Sequence, residues 1–131
     1  VSANAGIFSD IGDMSRFARM LACGGTLAGY RHVTPETLRL AASDQTAGLN
    51  EARGLGVQLN ARGDCFMGDL WPRAGFGHTG FTGTSLAVEP QSGLFCALLT
   101  NRVWPTRENL QLMRVRRRLH NSLYAEFCQQ R

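Results

Sequence analysis

The sequence contains no lysine: all fourteen of its basic residues are arginine. Within this chain that excludes a lysine general base, a Schiff base and a P-loop lysine. Codon usage in a GC-rich genome accounts for an all-arginine set. Long apolar runs are missing too. The longest, Leu94 to Leu99, has the length of one buried strand and falls far short of the roughly 18 residues that span a bilayer. No membrane span is expected. No C-x-x-C occurs, and no His, Cys, Asp or Glu cluster has ligand spacing, so neither a metal nor a cofactor is expected. Cys23, Cys65, Cys96 and Cys128 allow three disulfide pairings, but Cys23 and Cys96 sit in apolar stretches and read better as buried free thiols. The chain opens at Val1 with neither a methionine nor a charged-then-apolar leader, so an upstream part is expected to have been removed. The compartment, bacterial periplasm or cytoplasm, stays open.

What is present is globular. With 131 residues, 44% hydrophobic and 18% charged, the chain has enough for a single domain over residues 1–131 with a real core. The net charge of +4 is concentrated between Arg102 and Arg118, where six arginines face one glutamate. Such a run could meet nucleic acid, but its arginines from Arg107 onward carry no interleaved aromatics for base stacking, and no nucleic-acid partner is expected.

The first periodic segment predicts a helix capped by Ser9 or Asp10. Ile11, Met14, Phe17, Ala18 and Leu21 lie on its core face, and Gly24-Gly25 stops it. Thr34-Pro35-Glu36 opens a second, short helix that ends near Ala42. From Gly54 the pattern turns to strand: Gly54 to Leu59 alternates, and Thr82 to Val88 is followed by the turn Glu89–Gly93 and a partner strand over Leu94–Thr100. A long helix from about Thr106 to Cys128 carries the stripe Leu112, Val115, Leu119, Leu123 and Phe127. Arg116 falls inside that stripe, where it must snorkel or meet a carboxylate. His32 and His120 read as surface residues. The fold class is α+β: helices, an antiparallel sheet of about three strands, and a C-terminal helix packed on it.

One stretch stands out for chemistry. Gly75-Phe76-Gly77-His78-Thr79-Gly80-Phe81 brackets a His-Thr pair with glycines at the start of a strand, so backbone and donor side chains can approach a ligand closely. Gly83-Thr84-Ser85-Leu86-Ala87 offers a rival, a nucleophile elbow, but Ser85 lies within a strand and the elbow needs a sharp strand-to-helix turn. A Cys–His pair at His78 is the other alternative, with nothing in the sequence to place a cysteine beside it.

The run from Phe76 to Asn101, its hairpin ending Leu98-Leu99-Thr100-Asn101-Arg102 and followed by a long helix, closely resembles serine β-lactamase-like hydrolases. These are the superfamily of class C β-lactamases, penicillin-binding proteins and related esterases. Upstream, Ala5-Gly6-Ile7-Phe8-Ser9 leading into Met14–Leu21 resembles the helix that follows the catalytic tyrosine motif in those proteins. Of the family's three motifs, Ser-x-x-Lys, Tyr-x-Asn and Lys/His-Thr-Gly, only the third is present, as His78-Thr79-Gly80. The resemblance therefore implies a partial β-lactamase/transpeptidase-like fold: the C-terminal portion of a longer hydrolase, with no nucleophile in this chain.

By the same resemblance, the Phe81 N–H is an oxyanion donor, Thr79 binds a substrate carboxylate, and His78 holds the tyrosine or serine network in its protonation state. Asn101 and Arg102, at the end of the partner strand, are expected either to line the same substrate cleft or to serve the strand end structurally. The implied substrate is a small-molecule ester, amide or β-lactam, and the implied partner is the missing N-terminal portion of the protein. Its absence would expose the Leu94–Thr100 edge to a second copy, giving a homodimer. The alternative is a non-catalytic ligand- or partner-binding module derived from that fold.

Overall fold

A computed structural model describes residues 5–63 and 65–128. Helix α1 (Ile11–Ala22) starts where Asp10 accepts a hydrogen bond from the Asp13 N–H, and it stops at Cys23, followed by Gly24 and Gly25 at positive φ. A two-stranded ribbon follows, β1 (Thr26–Leu27) and β2 (Tyr30–Arg31). It closes through Ala28 and Gly29, both at positive φ as a two-residue hairpin of this hand requires. Helix α2 (Pro35–Ala41) opens on the Thr34 cap with proline in its first turn.

The main sheet is antiparallel and has four strands, in order β3 (Gln58–Leu59), β4 (Phe76–Thr79), β5 (Ser85–Val88) and β6 (Phe95–Leu98). The strand beyond the three expected is β4, and the stretch from Gly54, expected to be a strand throughout, is one only at its end. There the Gly54 N–H donates to the Val57 carbonyl, Gly56 takes a positive φ, and the segment turns; only Gln58 and Leu59 pair with β4. Before Gln58 the alternation reflects a glycine-built turn rather than a strand.

Two cores cover the two faces of the sheet. Phe76, Val88 and Leu59 pack with Ala52, Leu21, Leu38 and Phe95 on the side of α1 and α2. Ala87 and Cys96 pack with Cys65, Met67, Trp71, Leu119 and Leu123 on the side of α3 (Gln111–Phe127). Neighbouring residues of β5, Ala87 and Val88, thus serve opposite cores, as the two-residue period of a strand demands. The loop from Asn60 to Gly75 is closed by a fully buried Asn60. Its amide donates to the Trp71 and Pro72 carbonyls, and its Oδ1 accepts from the Cys65 thiol.

The helices bury only part of the faces their periodicity indicates: Ala18 of α1 is buried, and Leu21 of α1 and Leu119 and Leu123 of α3 pack on the cores. In α1 the buried residues are Ala18 and Met20, while Ile11 and Phe17 are about half exposed; strands of four residues leave the helix N-terminal half uncovered. Cys23, at the end of α1, is exposed rather than buried, whereas Cys96 is buried and burial pushes its thiol up; Cys23, Cys96 and Cys128 are free thiols.

Helix α3 begins at Gln111 rather than near Thr106. Thr106 Oγ1 and Asn109 Oδ1 accept from the N–H groups of Glu108 and Gln111, and these local turns compete with helix. Its buried residues are Arg116 and His120, with Val115 and Phe127 more than half exposed. Both side chains meet backbone carbonyl acceptors in the interior. Arg116 Nη2 donates to the carbonyls of Gly83 (2.9 Å) and Thr84 (3.3 Å), so it neither snorkels nor meets a carboxylate. One turn on, His120 is fully buried, not a surface residue, and its Nδ1–H donates to the Phe66 carbonyl (3.2 Å). No helix among the described residues is long and apolar enough to cross a membrane.

Candidate active site

Strand β4 carries the His-Thr-Gly sequence to the open end of the sheet. Gly77 is required for the close approach of β4 to β5, since a Cβ there would lie 2.0 Å from the Leu86 carbonyl oxygen. On its other side β4 pairs with β3 only at Phe76 and Gly77. Beyond Gly77 that edge is free, and His78 and Thr79 project past it, paired only to Leu86 and Ser85 of β5.

The chain then makes a tight turn. Gly80 N–H donates to the Thr84 carbonyl (2.8 Å), and Gly83 N–H donates to the Gly80 carbonyl (3.1 Å). A trans peptide sets C=O and N–H on opposite sides. With the Gly80 carbonyl turned into the loop, the N–H of Phe81 faces away from it. That N–H has no hydrogen-bond partner among the described residues.

His78 is exposed. A carbonyl only accepts, so Nδ1 carries the hydrogen in its 2.9 Å contact with the Thr79 carbonyl, and Nε2 presents a lone pair to Arg53 Nη1 at 3.5 Å. Arg53, which sequence reasoning missed, is itself held by Glu51. Thr79 opens on the opposite face, into a cleft of about 200 Å³ that it lines with Gly80, Phe81, Arg102, Leu112 and Arg116.

Arg102 is tied to that cleft by several contacts. Its Nε donates to the Phe81 carbonyl (2.8 Å), its backbone N–H to the Thr82 carbonyl (2.8 Å), and its guanidinium carbon lies 4.7 Å from the centre of the Phe81 ring. Asn101 is not part of the cleft wall: it is exposed, and its Oδ1 accepts from the Val103 N–H (3.1 Å) in a local turn. Burial, and then the nearby cation of Arg102, pull the Arg116 guanidinium below its ordinary value. The signal for Arg116 was present in the sequence as a charge inside an apolar stripe; what it bonds to was not.

The rival sites do not assemble. Ser85 is 5% exposed at the start of β5, so its hydroxyl cannot meet a substrate as an elbow nucleophile does. The described contacts of the His78 ring are Thr79 and Arg53, not a cysteine. No cluster of three potential metal ligands exists among the described residues. The arrangement offers one free backbone donor, one threonine hydroxyl and a cationic wall around an open strand end.

The sequence matches the family model described as Beta-lactamase over residues 2–120. A provisionally named D-alanyl-D-alanine carboxypeptidase of Escherichia coli O157:H7 is 28% identical over 102 residues, which are 78% of this chain and 24% of that protein. A relative of the same name from Salmonella paratyphi B is 32% identical over 106 residues, again 24% of its length. This chain therefore spans about a quarter of the curated relatives it matches. A solved beta-lactamase from Mycobacterium bovis superposes with a TM-score of 0.75 at 21% identity, covering 91% of this chain and 44% of that one. A penicillin-binding protein homolog from Caulobacter crescentus gives 0.64 at 23%, covering 86% and 30%. At these identities the two likenesses speak to the fold.

Proposed function

The chain belongs to the beta-lactamase family, and from that premise we propose that it is the C-terminal part of a serine hydrolase that cleaves an ester, amide or β-lactam through an acyl-serine intermediate. Attack of a serine on such a carbonyl builds negative charge on oxygen, and preorganised donors aimed at that oxygen lower the barrier. The observation that carries this reading is the Phe81 N–H, unpartnered among the described residues and directed away from a turn at the free end of β4.

Thr79 and Arg102 line the adjoining cleft and supply a hydroxyl and a cation for a carboxylate on the substrate. Asn101, next to Arg102 in sequence, shapes the loop that brings Arg102 in. His78 is exposed at the strand edge, with Nε2 as an acceptor toward the upstream part that provides the nucleophile. The absence of lysine leaves Ser-x-x-Lys to that upstream part. By itself the 131-residue chain is then inactive.

The test is direct. The chain is treated with nitrocefin, p-nitrophenyl esters, a penicillin and a fluorophosphonate, and its mass is measured. Neither turnover above a heat-denatured control nor a covalent adduct is expected. Stoichiometric acylation of a serine in this chain would overturn the reading, and saturable penicillin binding without an adduct would point to a binding module instead.

A further inference from the structure

We propose that Arg116 is a positioning residue for the oxyanion donor: from the buried face of α3 it holds the turn that aims the Phe81 N–H. The inference deepens the functional reading above and rests on it. Arg116 is 6% exposed, and its Nη2 reaches two successive carbonyls, Gly83 and Thr84.

These bonds add a second donor to two members of a fully engaged turn. The Gly80 carbonyl accepts from Gly83 N–H, Phe81 from Arg102 Nε, and Thr82 from Arg102 N–H. Gly83 accepts from Thr100 Oγ1 (2.8 Å) as well as from Arg116, and Thr84 accepts from Gly80 N–H as well as from Arg116. Every carbonyl from Gly80 to Thr84 is held. A peptide plane rotates as a unit, so a turn with all its carbonyls held cannot re-aim its N–H groups. An oxyanion donor acts through such fixed direction, because a donor that must reorient at the moment of reaction loses most of its effect.

Packing alone does not account for the residue. A buried guanidinium beside a second one, with no carboxylate bonded to it among the described residues, is costly, and a leucine would continue the apolar stripe between Leu112 and Leu119. The Gly83 position reinforces the same design. At φ +115° only glycine fits easily, and a Cβ there would meet Thr100 Oγ1 at 2.7 Å and Leu112 Cδ2 at 2.9 Å.

The test has two arms. In the 131-residue chain, Arg116→Met is expected to speed amide exchange at Gly80 and Gly83 about tenfold or more, while Ala87 and Cys96 in β5 and β6 keep their rates. In the longer gene product that carries the nucleophile, the same change is expected to lower kcat roughly ten- to hundredfold with KM nearly unchanged, and Arg116→Lys to recover part of the loss. Should Arg116→Met not fold, Arg116→Gln, which retains a neutral donor, is measured in both arms.

A folded variant with wild-type turn amides and wild-type kcat overturns the positioning role alone. So does one in which all amides accelerate together and kcat falls only with the folded fraction. A gene product that never forms an acyl-enzyme overturns the functional reading, and the positioning role with it.

Discussion

The imidazole of His120 meets the indole of Trp71 edge to face, with ring centroids 5.4 Å apart and planes inclined at 62°. Phe66 makes a second such contact at 5.7 Å, and neither His120 Nε2 nor Trp71 Nε1 has a hydrogen-bond partner among the described residues. A histidine at 0% exposure, one turn from the buried Arg116, is held neutral by its surroundings.

Stability should therefore fall on mild acidification. Burial is the largest cause lowering the His120 value below its usual 6.5; the Arg116 cation adds to it, and the hydrogen bond to Phe66 opposes it. As pH falls the unfolded chain takes up this proton first, so the contribution is full above about pH 6.5 and is lost as pH drops from there toward the folded value. The urea midpoint is expected to be lower at pH 5.5 than at 7.5, and His120→Leu to remove most of that difference. An unchanged pH difference in the variant would rule His120 out as its source.

Asn60→Ala should be among the more damaging single changes. The side chain is fully buried and makes three hydrogen bonds, to the Trp71 and Pro72 carbonyls (2.6 and 3.2 Å) and from the Cys65 thiol (2.9 Å). Truncation leaves those groups unsatisfied in the core, at a cost of about 2–3 kcal/mol in urea unfolding. A loss below about 0.5 kcal/mol would mean that water or a shifted loop replaces the bonds.

The outer edge of β6 should make the chain self-associate. β6 ends the sheet order, and among the described residues no strand pairs with its far side. By family resemblance, an N-terminal strand fills that place. Without it, a second copy pairing through the Leu94–Thr100 edge is the expected occupant, and light scattering at about 0.1 mM should find a dimer or larger species. A clean monomer whose Leu94–Thr100 amides are all protected from exchange would refute this.

The parts of this protein legible in its sequence are those fixed by neighbours along the chain. Asp10 and Thr34-Pro35 start their helices through side-chain oxygens and a preset φ, and Glu89–Gly93 turns β5 back into β6. His78-Thr79-Gly80 marks the strand end because glycine and short polar side chains suit close backbone approach there. Tertiary structure decided what depends on partners distant in sequence. Periodicity located an apolar stripe on α3, but Arg116 and His120 are buried, bonded to the carbonyls of Phe66, Gly83 and Thr84 32 to 54 positions away, while Val115 and Phe127 stay exposed. Likewise, only the packed loop shows that Arg53 reaches His78 across 25 positions and that Asn101 faces away while Arg102 faces in. A buried guanidinium or imidazole needs acceptors, and the sequence does not reveal which carbonyls folding will bring to it.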